Sequence, residues 1–230
     1  MSDPGGIALL SVALLGGLLA VDGVAAVQSM ISRPLVAGWL AGWILGDPVT
    51  GIQIGVLLEL QLLVAVPSGG GHVPEGGTAT LVAVAAATEL SGTSATAGAL
   101  AWGVALGLIW GQLAGQTQLW LRRLNEAALP VGTATEGTAR RLGQAQRRGL
   151  ELDFLRGVVV TGVGVVLARG VLPWLTGGWP LEVSATFALL LIGAWVSVGI
   201  VLRGVAQGRR GSLLFGAGLL LGALWLGVAG

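Results

Sequence analysis

The chain has 230 residues, 54% of them hydrophobic and 10% charged, and its mean hydropathy of +0.86 exceeds what a water-soluble globular domain tolerates. It carries 41 Gly, nine Trp, no Tyr and no Cys, and its twelve basic residues are all Arg, set against eleven acids. This excludes a disordered chain, a disulfide scaffold, a cysteine-ligated zinc module and a cysteine nucleophile, and with His72 the sole histidine it excludes a multi-histidine metal site.

A nucleic-acid binder needs basic residues over a solvated face, and most of this chain has no solvated face. The composition is that of an all-α, polytopic integral membrane protein. About six to eight hydrophobic segments follow one another, at 7–21, 34–45, 52–66, 78–88, 95–121, 157–175, 185–202 and 212–228. A hydrocarbon core of about 30 Å asks for roughly 20 apolar residues per helix. The stretches 34–45 and 78–88 are too short for that and read as re-entrant or broken segments, which survive only where protein or a water-filled cavity satisfies their backbone. No basic residue precedes the first stretch, so it reads as a retained helix, not a signal peptide. The expected organisation is a substrate-binding core half over 1–94, a transmembrane helix over 95–121, a cytoplasmic Arg-rich loop over 122–156, and three further transmembrane helices over 157–230.

Orientation follows from the arginines. Seven of the twelve fall between Arg122 and Arg156, and Arg203, Arg209 and Arg210 precede the last apolar stretch. Two spans separate these basic connections, so both lie on one side, which the positive-inside rule makes cytoplasmic. The intervening stretch 176–184 has no Arg and is flanked by Trp174 and Trp179, as expected of an outer interface. The Arg-rich segment reads first as topogenic charge in contact with anionic membrane lipid, and second as a docking surface for a cytosolic partner.

Gly103, Gly107, Gly111 and Gly115 recur on one helical stripe, and Gly38, Gly42 and Gly46 repeat the device. Such stripes let helix backbones approach closely in lipid, which predicts partner helices. In Gly51-x-x-x-Gly55-x-x-x-Glu59, two glycines are expected to clear a groove with a carboxylate at its end. Ionisable and amide groups inside apolar segments are costly and by default mark substrate or ion pathways. The first half concentrates them: Asp22, Gln28, Arg33, Asp47, Gln53, Glu59, Gln61, His72, Glu75 and Glu89. Carboxylates and amides suit a neutral polyol, whose hydroxyls both donate and accept. The turn Ser68-Gly69-Gly70-Gly71-His72-Val-Pro74-Glu75 lies amid this cluster; it lacks the Gly-Lys-Ser/Thr ending of a phosphate loop, and His72 reads equally well as a loop histidine with no role.

Asp22, then Gln28-Ser-Met-Ile-Ser-Arg33-Pro34, then Gly42-x-x-x-Gly46-Asp47-x-x-x-Gly51-x-x-x-Gly55-x-x-x-Glu59-Leu, then a glycine-rich turn ending Pro74-Glu75, resembles the mannose/fructose/sorbose-type enzyme IIC. This is the membrane subunit of the bacterial phosphoenolpyruvate:sugar phosphotransferase system. The resemblance spans residues 16–90 and implies a multi-pass protein of the bacterial plasma membrane that translocates a hexose or amino sugar and has no metal or cofactor. It further implies a IID membrane partner, cytosolic IIA and IIB subunits that carry the phosphoryl transfer, elevator-like movement and a trimeric assembly. The sugar site it implies consists of Asp22, Gln28, Glu59, Gly69, Gly70, Gly71, His72 and Glu75, with Arg33 and Pro34 shaping the core. Glu75 stands where that family usually carries Asp. A non-transporting regulatory component of an incomplete phosphotransferase system would have the same fold. A lipid-headgroup transferase would need paired aspartates beyond Asp22-Gly23, and a vitamin-binding transporter subunit would not carry the Arg33–Glu59 pattern.

Overall fold

The computed structural model describes residues 4–24, 28–63, 73–91, 97–127, 138–175 and 179–205, together with 213 and 216. These residues form α1 (Pro4–Val24), α2 (Pro34–Leu45), α3 (Pro48–Gln61), α4 (Gly76–Ser91), α5 (Ala97–Ala127), α6 (Thr138–Leu175) and α7 (Val183–Val205), with no strand among them. The all-helical class expected from composition holds.

The first half is built around a short helix. Residues Thr78 to Ala87 of α4 are all buried, and nearly all of them are small or apolar. A helix that is apolar all round belongs in an interior, and here α1, α2, α3, α5 and α6 pack around it. The stretch 78–88, expected as a broken segment, is one continuous buried helix; its neighbours, not lipid, decide its environment.

Between α2 and α3 the chain turns sharply, for reasons written in Gly46-Asp47-Pro48. Gly46 ends α2 in the left-handed region at φ 84°, which glycine adopts without a Cβ penalty. The Asp47 side chain accepts from the Thr50 N–H at 3.0 Å as an N-cap, and Pro48 takes the first helical position, where its missing N–H costs nothing. The resulting helical hairpin closes on glycine. A Cβ at Gly38 would collide with the Gly51 carbonyl and lie 2.9 Å from the Gly55 Cα. The groove expected beside Gly51 and Gly55 is therefore filled by the backbone of α2.

Glycine serves the other contacts in the same way. Gly107 faces Ala83 Cβ and Ala79 O of α4, where an added Cβ would lie 2.8 and 3.0 Å away. The stripe expected to await partner helices is occupied by α4 of the same chain. Gly157 of α6 fits against Gly16 and Gly17 of α1.

Among the described residues, three helices are long and apolar enough to cross a membrane: Gly5–Gly23, Ala97–Glu126 and Val183–Arg203. That is fewer than the six to eight apolar stretches, because α2, α3 and α4 are only 12, 14 and 16 residues long and α6 is polar over its first half. The segment 122–156 is not a single loop: α5 continues to Ala127 and α6 begins at Thr138. Of the last expected span, 212–228, only residues 213 and 216 are described.

Candidate functional site

A cavity of about 340 Å³ opens between the ends of α1, α3, α4 and α5 and the 28–33 connection. Small-molecule sites run from about 300 to 1,000 Å³, so it has the size of a small-ligand site. Its polar wall comprises Gln28, Ser32, Arg33, Glu59, Glu75, Gln118 and Arg122, and Leu19, Pro34, Leu62 and Leu119 contribute apolar surface.

Each polar group is positioned by a traceable cause. Asp22, near the end of α1, is 4% exposed and does not line the cavity. Its carboxylate accepts from the Ser29 N–H and hydroxyl, both at 2.7 Å, and from the Ser32 N–H at 3.1 Å. Those three bonds hold a connection in which Gln28 and Met30 sit at positive φ, 48° and 66°, a backbone state that side-chain-bearing residues rarely adopt. Such strain persists where surrounding structure over-determines it. The connection presents Gln28, Ser32 and Arg33 to the cavity.

Glu59 stands in the last turn of α3, not in the middle of a span. Its carboxylate pairs with Arg33 at 3.2 Å and accepts from the Leu35 N–H at 3.3 Å. Leu35 is the second residue of α2, and Arg33 at the N-cap position has no side-chain oxygen to offer. Glu59 thus caps α2 from across the hairpin while it lines the cavity.

Glu75 precedes α4 and is the most constrained group of the wall. Its N–H donates to the Gly111 carbonyl at 3.0 Å, and the Thr78 hydroxyl donates to its carboxylate at 2.7 Å. From α6, Arg156 donates to both carboxylate oxygens, Nη1 at 2.7 Å and Nη2 at 3.3 Å. The same guanidinium reaches Asp153 through Nε at 2.9 Å and the Thr117 hydroxyl at 3.1 Å. The Arg156, Glu75 and Asp153 side chains are only 8%, 11% and 8% exposed. Burial pushes the Asp153 carboxyl above its usual range, against the pull of Arg156.

With this geometry in place, the sequence comparison decides the family. The family profile described as "PTS system sorbose-specific iic component" matches residues 7–135, more than half of the chain. The chain belongs to this family. It is a membrane subunit of the phosphotransferase-system IIC type, and a multi-pass one. No curated protein matches the sequence. Among solved structures, one described as "Structure of membrane protein" aligns at a TM-score of 0.76 and 18% identity, covering 100% of this chain and 92% of its own. Another, described as "CryoEM Structure of Mannose Transporter ManYZ and Microcin E492 (MceA) complex", aligns at 0.51 and 18% identity, covering 94% of this chain and 85% of its own. At that identity both are likenesses of fold.

For a IIC-family chain, the candidates from the sequence fall into three groups. Gln28, Glu59 and Glu75 face one cavity, Asp22 lies behind it, and Gly69, Gly70, Gly71 and His72 lie outside the described residues. No group of three or more metal-ligating side chains occurs among the described residues. Sequence reasoning passed over Gln118, Arg122 and Arg156. Gln118 and Arg122 continue the 103, 107, 111, 115 stripe at helical spacing, so the signal was present on α5. Arg156 had no such marker, because its burial comes from the packing of α6.

Proposed function

We propose that this chain is the sugar-translocating IIC subunit of a mannose-family phosphotransferase permease, binding a hexose or amino sugar in the cavity beside Glu59. The observation that carries this reading is the convergence of amides, carboxylates and guanidinium groups from four chain segments on one cavity of sugar-site size, all of whose lining lies within the matched region. Sugar hydroxyls donate to the Glu59 carboxylate and accept from Gln28, Gln118 and Arg33. Charge-assisted bonds of this kind contribute about 1.5–3 kcal/mol each, against about 0.5–1.5 for neutral ones. Gly69, Gly70, Gly71 and His72 are proposed for the same sugar site because they immediately precede Val73 and Pro74, which line the cavity, in the sequence.

In this reading the chain itself moves no phosphoryl group. Cytosolic IIA and IIB subunits do so, and a IID subunit completes the membrane assembly, for which a trimer is the proposed form. The Arg-rich stretch 122–156, most of whose arginines lie on the end of α5 and the first half of α6, is assigned to the cytoplasmic side, and the stretch 176–184 to the outer side. The carrier moves as an elevator, with the α2–α3 hairpin and α4 in its mobile core.

The test is uptake. The chain is expressed with IIA, IIB and IID partners in a bacterium lacking its own sugar phosphotransferase permeases, and labelled mannose, fructose, sorbose, glucose and glucosamine are offered. Uptake of at least one, lost when this chain is omitted, is the expected result. Correct assembly with no uptake of any would replace the transport role with that of a non-transporting regulatory membrane component.

A further inference from the structure

Helix α5 is longer than a hydrocarbon core is thick. Its 31 residues extend for about 45 Å against about 30 Å, so one end stands among lipid headgroups. Trp120 marks that end: its ring is exposed, and Arg122, Arg123 and Glu126 follow it.

An open cleft of about 890 Å³ lies here, between the end of α5 and the first half of α6. Two exposed apolar stripes run into it. On α5, Ile109, Leu113, Trp120 and Leu124 fall within one sector of about 60°, and Leu124 lines the cleft. On α6, Leu152, Leu155, Val159, Val163 and Val166 fall within about 80°, and Leu152 lines the cleft. The exposed apolar surface of both helices is thus continuous with the cleft.

The polar part of the cleft is positive. Arg141 and Arg148, seven positions apart, share one face of α6, and Glu126 is the sole acid of the lining. Neither arginine pairs with a described residue; the neighbouring Glu151 is held by Arg147 at 3.1 Å and Asp153 by Arg156 at 2.9 Å. Arg122 also lines the cleft, but its charge acts inward on Asp153. Across 122–156 seven arginines stand against four acids, and counting Glu75, which Arg156 holds, still leaves the excess positive.

We propose that the α5–α6 cleft binds one anionic phospholipid, its phosphodiester between Arg141 and Arg148 and its acyl chains along the stripes that end at Leu124 and Leu152. Arg148 stands about one turn from Leu152 on the same face, so charge gives way to apolar surface as a headgroup gives way to its chains. An acidic protein surface would answer the arginines alone. A lipid answers both the arginines and the leucines. The site stands apart from the sugar-binding reading and does not rest on it.

The test uses the full chain purified in non-ionic detergent. Native mass spectrometry measures the affinity for dioleoyl-phosphatidylglycerol and dioleoyl-phosphatidylcholine, with glycerol 1-phosphate as a soluble competitor, and the unfolding midpoint is taken without lipid. Wild type is expected to prefer phosphatidylglycerol. Arg141→Gln with Arg148→Gln is expected to lower that affinity by about thirtyfold at an unchanged lipid-free midpoint. Arg140→Gln with Arg147→Gln removes the same charge from residues that do not line the cleft, and is expected to lower it by less than about threefold. Glycerol 1-phosphate, lacking chains, is expected not to displace the lipid. Equal losses in the two double variants would reduce the site to diffuse attraction and overturn the inference. Unchanged affinity in the cleft variant overturns it too, and leaves Arg141 and Arg148 to topology or to a cytosolic partner. Displacement by glycerol 1-phosphate would make the site one for soluble anions. Wild type that binds phosphatidylcholine as tightly as phosphatidylglycerol overturns the inference without any variant.

Discussion

Arg156 on α6 and Glu75 before α4 stand 81 positions apart in sequence and are joined by two hydrogen bonds, of 2.7 and 3.3 Å. The pair fixes one wall of the cavity to a helix that packs against α1, α4 and α5, and Asp153, Thr117 and the Ala114 carbonyl are the guanidinium's other partners. With both oxygens engaged, Glu75 shapes the site more than it recognises a ligand.

Removing the arginine strands two buried carboxylates. Breaking a buried ion pair by deleting one partner costs about 3–5 kcal/mol. Arg156→Met is expected to lower the unfolding midpoint by roughly 6–20 °C, at about 2–4 °C per kcal/mol. The double variant Arg156→Met with Glu75→Gln recovers part of the loss, because one stranded charge is gone. Thermal unfolding in detergent checks this, and a single variant as stable as wild type contradicts it.

One glycine of the hairpin and one of α6 predict opposite effects for the same substitution. Gly38→Ala places a Cβ against the backbone of Gly51 and Gly55, which has no flexible end to give way, and overpacking of this kind costs about 1–3 kcal/mol. Gly143→Ala, on the exposed first half of α6 with nothing within 4 Å, is expected to stabilise by about 0.4–1 kcal/mol. Unfolding midpoints that move in the same direction for both variants would contradict the packing described.

Glu59 holds two positions at once, as a cap of α2 and as a cavity wall, and two variants separate them. Glu59→Gln keeps an acceptor for the Leu35 N–H and loses the pairing with Arg33, whose side chain is 57% exposed, so stability falls by no more than about 1 kcal/mol. Losing the charged acceptor for a sugar hydroxyl weakens hexose affinity by about one to two powers of ten. Glu59→Leu removes the cap as well and costs roughly a further 1 kcal/mol of stability. Affinity and midpoint are measured on both variants; binding lost only in step with stability makes Glu59 a structural residue.

The orientation proposed from arginine asymmetry is accessible because the chain has no cysteine. In intact cells, Glu182→Cys before α7 is expected to react with an impermeant maleimide, and Gln144→Cys on the first half of α6 is expected to react only after lysis. Both positions are exposed, so burial does not confuse the result. The reverse pattern would turn the molecule over.

Local chemistry was legible in the sequence, and pairings set by packing were not. Gly46-Asp47-Pro48 announces a helix stop, a cap and a helix start within three residues, and the hairpin forms there. The 103–115 glycine stripe was legible as a close-packing face, but only the fold shows that α4 fills it. Glu59 stood out as an ionisable group in an apolar stretch, yet its capping of Leu35 depends on the antiparallel register of α2 and α3. Asp22 stood out for the same reason and turned toward Ser29 and Ser32 instead of the cavity. Arg122 and Arg156 were submerged in a basic segment whose obvious reading was topological. Nothing local distinguishes a buried arginine from its exposed neighbours when its partner lies 81 positions away.

The central claim is that the cavity binds sugar, and Gln118 tests it most directly. It lines the cavity from α5, and no hydrogen bond or ion pair ties it to another described residue, so its removal leaves the packing intact. The measurement is hexose affinity of the Gln118→Leu variant, assembled with its membrane partner, taken together with its unfolding midpoint. The account predicts an affinity loss of about tenfold, the worth of a hydrogen bond at the upper end of the neutral range, with an unchanged midpoint. Wild-type affinity in a variant whose cavity wall has lost that amide would contradict it.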